Sequence, residues 1–453
     1  MNTYPVRIKE VTINDFMNIE SGTISFMNPN DNYLMSILGL YGQNGSGKTA
    51  LINALDILKY VISGCSVPSE YSECITAGYP FSTFVYTFLI RKDEELTEDV
   101  VYSFSMTHDD SSEKVKIYNE VLKTRLFREK DERMGRIIDT SIGDTFSPKA
   151  KKLLLFGKDS DSRLSVIKED TARESRSFIF SDEILYLINS REKESEETAE
   201  FYYEIISSIR TFGTDSLFVI TTSNNALVAM NAEPLNFKLG KGGGTIAIPI
   251  SGRTIYPKSE LSLISELLER INIVLKTIIP GLTVYVENLG ETTLQTGDKG
   301  VMIRLMSERN GIKVPFSRES EGIKKLVSIL QLLTAVFNNP GVTVAIDELD
   351  TSIFEYLLGE ILNILSESGQ GQLIFTAHNL RPLETLDKGF IAFTSTDRKN
   401  RFIRLRNIKE TNNLRNLFYR NIVINENYDN LYEETKNHEI ALAFFEAGGA
   451  YDE

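Results

Sequence analysis

The sequence is poor in the residues that build several kinds of site. It has two cysteines in 453 residues, Cys65 and Cys74. Their spacing is not that of a metal knuckle and no other cysteine could complete one, so two reduced thiols are expected rather than a zinc site or a disulfide framework. Histidine is scarce, with three in the chain. Positive charge is outweighed, 49 Lys and Arg against 63 Asp and Glu, for a formal charge of −14. A net acidic chain is not drawn as a whole to nucleic acid or to an anionic membrane; either would need a local basic patch or a partner. No apolar run reaches membrane-spanning length, and "MNTYPVRIKEVTINDF" lacks the apolar core of a signal peptide. A cytoplasmic protein with no membrane partner is expected. Internal repeats and low-complexity tails are also missing. The length exceeds one ordinary core, so two or three units, possibly interleaved, are expected.

What is present is an alternation of strand and helix signals. "RIKEVTINDFMNIESGTISF" alternates, with Ile8, Val11, Ile13 and Phe16 suited to edge-lying strands of an opening meander. "LMSILGL" reads as a buried strand, and "TALINALDILKYVISG" puts Leu51, Leu55, Leu58 and Val61 at helical spacing. "FSTFVYTFLIRK" and "VVYSFSMTHD" read as strands of a sheet with one solvent face. From about Lys123 to Arg210 the chain is highly charged and reads as a mostly helical insertion. "KSELSLISELLERINIVLKTIIPG" is an amphipathic helix, expected to be capped at Ser259 and stopped by Pro280-Gly281. Strand, helix, strand, helix and strand then follow through "GVMIRLMSERNG", "SRESEGIKKLVSILQLLTAVFNN", "GVTVAIDELD", "SIFEYLLGEILNILSES" and "GQLIFTAHN". This is the pattern of an α/β fold with a parallel sheet. The expected division is 1–125, 126–214 (the insertion), 215–405 and a tail, 406–453. In the tail, "EIALAFFEAGG" is a short apolar helix, expected to pack on the body, with an exposed docking element as the alternative.

Between the first buried strand and its helix lies "GQNGSGKT", Gly42, Gln43, Asn44, Gly45, Ser46, Gly47, Lys48 and Thr49, a full G-x-x-x-x-G-K-[ST] match. A chain wrapping a phosphate needs residues without bulk, and its N–H groups with the helix N-terminus supply positive partial charge. Lys48 can reach the β- and γ-phosphates, and the Thr49 hydroxyl can bind Mg²⁺. ATP and Mg²⁺ are therefore the expected ligands. "VTVAIDELD" is an apolar strand ending in acids: Asp347 suits the Mg²⁺ water shell and Glu348 the attacking water. His378, ending the next strand, can touch the γ-phosphate. Ser320 and Gly322, in "FSRESEGIKKL", sit at a helix start that is either an ordinary cap or a phosphate seat for another subunit.

Taken in order, glycine loop, large insertion, Ser-x-Gly helix, acidic strand and His strand resemble the ABC-type ATPase heads, including SMC-like proteins. More closely, "IKEVTINDFMNIESGTISF", "SRESEGIKKL" and "AIDELDTSIFEYLL" resemble the stand-alone AAA family ATPases often found in phage-defence operons. These include the ATPase partners in PARIS, Septu and abortive-infection systems and OLD-type ATPases without the nuclease domain. The resemblance covers 3–125 and 215–400. It implies an ABC-type P-loop head with split N- and C-terminal lobes and a helical insertion. Lys48 and Thr49 would be the phosphate and Mg²⁺ contacts, Asp347 and Glu348 the second acid pair, and His378 the switch histidine. Ser320 and Gly322 would complete a partner's site, so at least a dimer is implied. Two positions depart from the pattern. Ile323 stands where the transporter-type signature has Gln, and Phe354 where many relatives have His or Asp. The family's Mg²⁺-binding glutamine has no counterpart between Gly78 and Asp99, which contain no Gln.

The expected function is an ATP-hydrolysing switch. The resemblance suggests the sensor subunit of an anti-phage system, controlling a separately encoded nuclease or toxin and triggered by a phage protein. The alternative is a DNA-repair or chromosome-associated ATPase that grips nucleic acid itself. Its candidate surfaces are "LKTRLFREK" and "DRKNRFIRLRNIK"; the second alternates, so basic side chains could share one strand face, with Arg401, Arg404 and Arg406 as the contacts to test, and a solvated edge strand is the plainer reading.

Overall fold

The computed structural model describes residues 4–28, 34–91, 97–109, 114–125, 134–141, 149–157, 160–190, 197–222, 232–239, 242–250, 252–293, 299–404, 413–418, 431 and 436–449. The opening sheet is built from β1 (Val6–Phe16), β2 (Ile19–Ser25), β4 (Ser82–Arg91), β5 (Thr97–Asp109), β6 (Lys114–Arg125) and β7 (Met134–Asp139). They run antiparallel in the order β2-β1-β4-β5-β6-β7. β1 is thus an inner strand, paired on both sides, and not the edge strand expected. Alternation reports which face is buried, not how many neighbours a strand has. The buried residues of β1 fall at Val6, Ile8, Val11, Ile13 and Phe16, out of strict alternation. A bulge between Ile8 and Glu10 shifts the phase once, and left-handed Asp15 (φ 55°) coincides with the second shift. One face of the sheet carries a layer of buried aromatics, Phe84, Tyr86, Phe88, Tyr102 and Phe104.

β7 lies in the segment whose charge pattern reads as helical. The helices there are α2 (Lys149–Phe156), α3 (Asp161–Arg173), α4 (Asp182–Ser190) and α5 (Glu197–Asp215). They share one core with the sheet's aromatic face and with α1 (Lys48–Ile62): Leu164, Ile184, Tyr202, Ile205 and Ile209 pack in the cluster that holds Leu51, Leu55 and Leu58.

The second sheet comprises β3 (Ile37–Tyr41), β8 (Leu217–Ile220), β15 (Thr343–Ile346), β16 (Gln372–Thr376), β17 (Ile391–Thr394) and β18 (Phe402–Ile403). Its order is β18-β17-β3-β16-β15-β8, parallel except for β18. β3 comes from the N-terminal part of the chain yet lies between two C-terminal strands, so one sheet joins both lobes. Each strand sends alternate residues to opposite cores. Leu38, Leu40, Ala345 and Ile374 face the α1 side. Ile37, Tyr41, Val344, Ile346, Leu373 and Phe375 face the other side, against α7 (Glu321–Asn338) and α8 (Glu355–Ser368). The fold class is α/β, as the sequence pattern requires.

Between the lobes' strands, β9 (Ala232–Leu239) and β10 (Gly242–Pro249) form a hairpin. β11 (Thr254–Pro257), β12 (Leu282–Thr293), β13 (Lys299–Arg309) and β14 (Ile312–Pro315) form a small antiparallel sheet. It packs on α6 (Lys258–Ile278) through Ile264, Leu268, Ile271 and Leu275. α6 is capped by Pro257 and not by Ser259, which falls inside the first turn. Pro257 makes no side-chain cap bond; its extended backbone only marks where the helix begins, two residues before Ser259. The helix ends just before Pro280-Gly281, as expected. α9 (Pro382–Thr385) is a single turn, and α10 (Asn437–Gly449) carries Ile440, Leu442, Phe444 and Phe445 on exposed positions. α10 therefore does not pack on the body, contrary to expectation.

The basic stretch also differs from expectation. Arg401 is 3% exposed. Arg404 is half-buried and spends its guanidinium on the carbonyls of Gly389 and Ser25. Both side chains turn inward to satisfy backbone acceptors, so they form no DNA-facing strand surface. Arg406 lies outside the described residues.

Candidate functional site

The glycine loop joins the carboxyl end of β3 to the N-terminus of α1, where strand ends and helix dipole converge. Gly45 (φ 76°) and Gly47 (φ 98°) are left-handed, a conformation glycine adopts without steric cost. A Cβ on Gly42 would overlap the Thr394 hydroxyl. Asn44 and Gly45 form the exposed tip, Ser46 is buried, and the Ser46 N–H donates to the Gln43 carbonyl at 3.2 Å. The Lys48 amine folds back onto the loop, donating to the carbonyls of Gly42 (2.8 Å) and Gln43 (3.1 Å). Burial pulls this amine below the usual lysine value, and Asp347, Glu348 and Asp350 oppose that shift. Thr49 follows in the first turn of α1.

Asp347 and Glu348 leave β15, two strands from the loop, and His378 leaves β16, the strand between them. Parallel pairing sets all three at the same end of the sheet. Neighbouring strands lie about 5 Å apart, so loop and acids are about 10 Å apart across the sheet. Asp347 is buried. Its Oδ1 accepts the Thr376 hydroxyl at 2.5 Å and its Oδ2 the Thr222 hydroxyl at 2.5 Å. The Glu348 N–H donates to the same Thr376 oxygen at 2.8 Å. Glu348 itself is left-handed, φ 49°, which costs a non-glycine residue on the order of 1 kcal/mol. Asp350 closes the turn: its Oδ2 accepts the N–H groups of His378 (2.9 Å) and Asn379 (2.6 Å). The His378 side chain is exposed.

Ser320 caps α7, its Oγ accepting the Ile323 N–H at 3.4 Å. It is exposed, and among the described residues no hydrogen bond joins it to the glycine loop of its own chain. A Cβ on Gly322 would overlap the Ser352 carbonyl, so the first turn of α7 lies hard against the loop after Glu348. Phe354 is exposed beside Tyr356, whose ring carries the Arg381 guanidinium at 5.5 Å.

Three participants escaped the motifs. Lys325, buried in α7, is pulled down to about 8 by burial, against the raising influence of Glu348, Asp347 and Asp350. Thr376 and Thr222 orient Asp347. The only hint in the sequence is polarity out of place: paired lysines in an apolar helix, and a threonine ending an apolar strand.

Among the described residues no group of three His, Cys, Asp or Glu side chains forms a protein-only metal cage. The donor set fits Mg²⁺ carried by phosphates, which needs one or two protein oxygens and keeps waters. Thr49 is placed to supply one, and Asp347, its plane fixed by two threonines, to hold a water.

A protein-family model described as "AAA domain, putative AbiEii toxin, Type IV TA system" matches residues 37–384. Among solved structures, the chain is similar to an SMC head bound to the C-winged helix domain of ScpA, at 12% identity and TM-score 0.43, over 88% of this chain and 97% of that one. It is similar to an Smc head with an extended coiled coil bound to the C-terminal domain of ScpA, derived from Pyrococcus furiosus (13% identity, TM-score 0.41, 88% and 96% covered). The recombination mediator RecF with ATP is also similar (12% identity, TM-score 0.40, 89% and 100% covered). No curated protein matches.

Proposed function

The chain belongs to this AAA-domain family, and from that premise we propose that it is an ATP-hydrolysing switch that works as a pair of heads. One observation carries the reading. Lys48 and Asp347–Glu348 converge at one end of the parallel sheet, close enough for the acids to act on the lysine amine. In this reading Gly42–Thr49 seat the triphosphate, and Lys48 leaves its carbonyl partners for the phosphates. Glu348 orients the attacking water and takes its proton. Its left-handed backbone aims the carboxylate and is held there by Thr376. His378 contacts the γ-phosphate. Bound Mg²⁺, held by Thr49 and by Asp347 through water, would supply charge neutralisation. Phosphoryl transfer needs mainly such positioning and neutralisation.

Ser320 and Gly322 serve a second head, because Ser320 is exposed at a helix N-terminus away from its own phosphate loop. ATP closes the pair and hydrolysis opens it. We assign the switch to control of a separately encoded nuclease or toxin in phage defence, with a phage protein as trigger; the family description, which names a toxin–antitoxin system, supports the setting and not the identity of the effector. A DNA-gripping role is less supported, since Arg401 and Arg404 point inward. The decisive test is Glu348→Gln. It should bind ATP, fail to turn it over, and run as a dimer in light scattering with ATP. Turnover at the wild-type rate would remove Glu348 from its role. A permease encoded next to this chain would count against the defence assignment.

A further inference from the structure

The phosphate loop is gripped by a residue that lies far from every motif. Arg401 follows the turn after β17, and its stem packs against the loop: a Cβ placed on Gly47 would lie 3.2 Å from both Cγ and Cδ of Arg401. Its Nη1 donates to the Ser395 carbonyl at 2.6 Å and its Nη2 to the Asn18 carbonyl. Asn18, in the β1–β2 turn, donates its own side-chain amide to the Gly45 carbonyl at the loop tip. The Ser46 hydroxyl is hydrogen-bonded to Thr394, on the strand that leads to Arg401. Gly45 and Gly47 are thus held by Asn18 and Arg401, 383 residues apart in sequence, and Ser46 by the end of β17.

The electrostatics of Arg401 give this grip a direction. Among the described residues its guanidinium bonds only to carbonyl oxygens, and its Nε is buried without a hydrogen-bond partner. Burial lowers its pKa most, then Arg398; Asp397 and Glu20 oppose them with less effect. Arg7 and Arg404 are also bonded to carbonyls, but theirs belong to Met35, Gly371, Gly389 and Ser25, outside the loop. A buried cation with no carboxylate hydrogen-bonded to it is costly until an anion compensates it. Of these three arginines, Arg401 is the one packed against a loop built to receive phosphate.

We propose that Arg401 is a positioning residue of the nucleotide site: it locks the phosphate loop to the β1–β2 turn and holds behind it a fixed positive charge that the bound triphosphate compensates. This rests on reading the loop as a nucleotide site. The test is titration calorimetry of Mg²⁺-ATP into wild type, Arg401→Lys, Arg401→Gln and Lys48→Ala, with melting curves with and without ATP. Lys keeps the charge and should bind within about threefold of wild type, whereas Gln should bind at least about tenfold more weakly. The rise in Tm on adding ATP should shrink in the Gln variant. A bracing role alone would lower Tm with and without ATP alike. Gln binding like wild type, or Lys and Gln losing affinity equally, overturns the proposal. If the Gln variant does not fold, Asn18→Ala decides: affinity reduced about threefold or more supports the grip, and unchanged affinity overturns it. Wild type failing to bind ATP would sink the nucleotide reading itself. Binding that Lys48→Ala abolishes and Arg401→Gln leaves intact would sink this inference alone.

Discussion

The Thr376 hydroxyl sits 2.5 Å from Asp347 Oδ1 and donates to it. The same oxygen accepts the Glu348 N–H at 2.8 Å. One side chain on the neighbouring strand therefore fixes both a carboxylate suited to the metal's water and the backbone of the acid suited to catalysis. Thr376→Val keeps the shape and removes both bonds. It should lower kcat about 10- to 100-fold while KM for ATP stays within about threefold, read by steady-state phosphate release. An unchanged kcat would show that Asp347 and Glu348 do not need this anchor.

Glu348 pays for its left-handed backbone with stability. Glu348→Gly should raise Tm, by about 1 kcal/mol of stability, while abolishing turnover. Thermal melts beside an ATPase assay check both halves. A fall in Tm would mean that the carboxylate stabilises the apo protein by more than its conformation costs.

Lys325 gives a pH prediction with a definite sign. Burial holds its folded pKa at about 8, below the ordinary lysine value of about 10.4. Between these values the unfolded chain binds the proton and the folded chain does not, so stability rises with pH across that window. Below about 8 the amine is charged in both states and the burial cost is fully present. The stability of wild type relative to Lys325→Met should therefore increase between pH 8 and 10, measured by urea unfolding. A flat difference would show an ordinary lysine.

Gly322 has no room for a side chain. Gly322→Ala should cost about 1–3 kcal/mol, because its Cβ overlaps the Ser352 carbonyl and backbone must move. Turnover should fall with it, since Ser352 lies four residues after Glu348. Circular dichroism melts and phosphate release test the pair of effects. Full activity with lowered Tm would uncouple this contact from the acids.

Much of this was legible in one dimension because it is periodic. Leu51, Leu55, Leu58 and Val61 mark α1, and the apolar runs before Gly42, Asp347 and His378 mark three strands whose carboxyl ends hold the chemistry. Relations that cross the chain were not legible. Thr376 reaches back 29 residues to Asp347, Thr222 reaches forward 125, and Arg401 reaches 383 to Asn18. Nothing local distinguishes such residues from solvated ones, so "DRKNRFIRLRNIK" reads as a basic face while Arg401 and Arg404 turn inward. The same blindness hid the inner position of β1. Its alternation is the same whether one neighbour pairs with it or two. In α10, apolarity suggests packing, but Ile440, Leu442, Phe444 and Phe445 are exposed.

The contact between Gly322 and Ser352 leaves no slack between the start of α7 and the turn that carries Glu348. A rigid joint of that kind transmits displacement in both directions. Within a closed pair, the end of α7 that one head lends to its neighbour would be mechanically the same part as the turn that times its own reaction. On the proposed paired reading, a change at one nucleotide would be felt at the other through this joint.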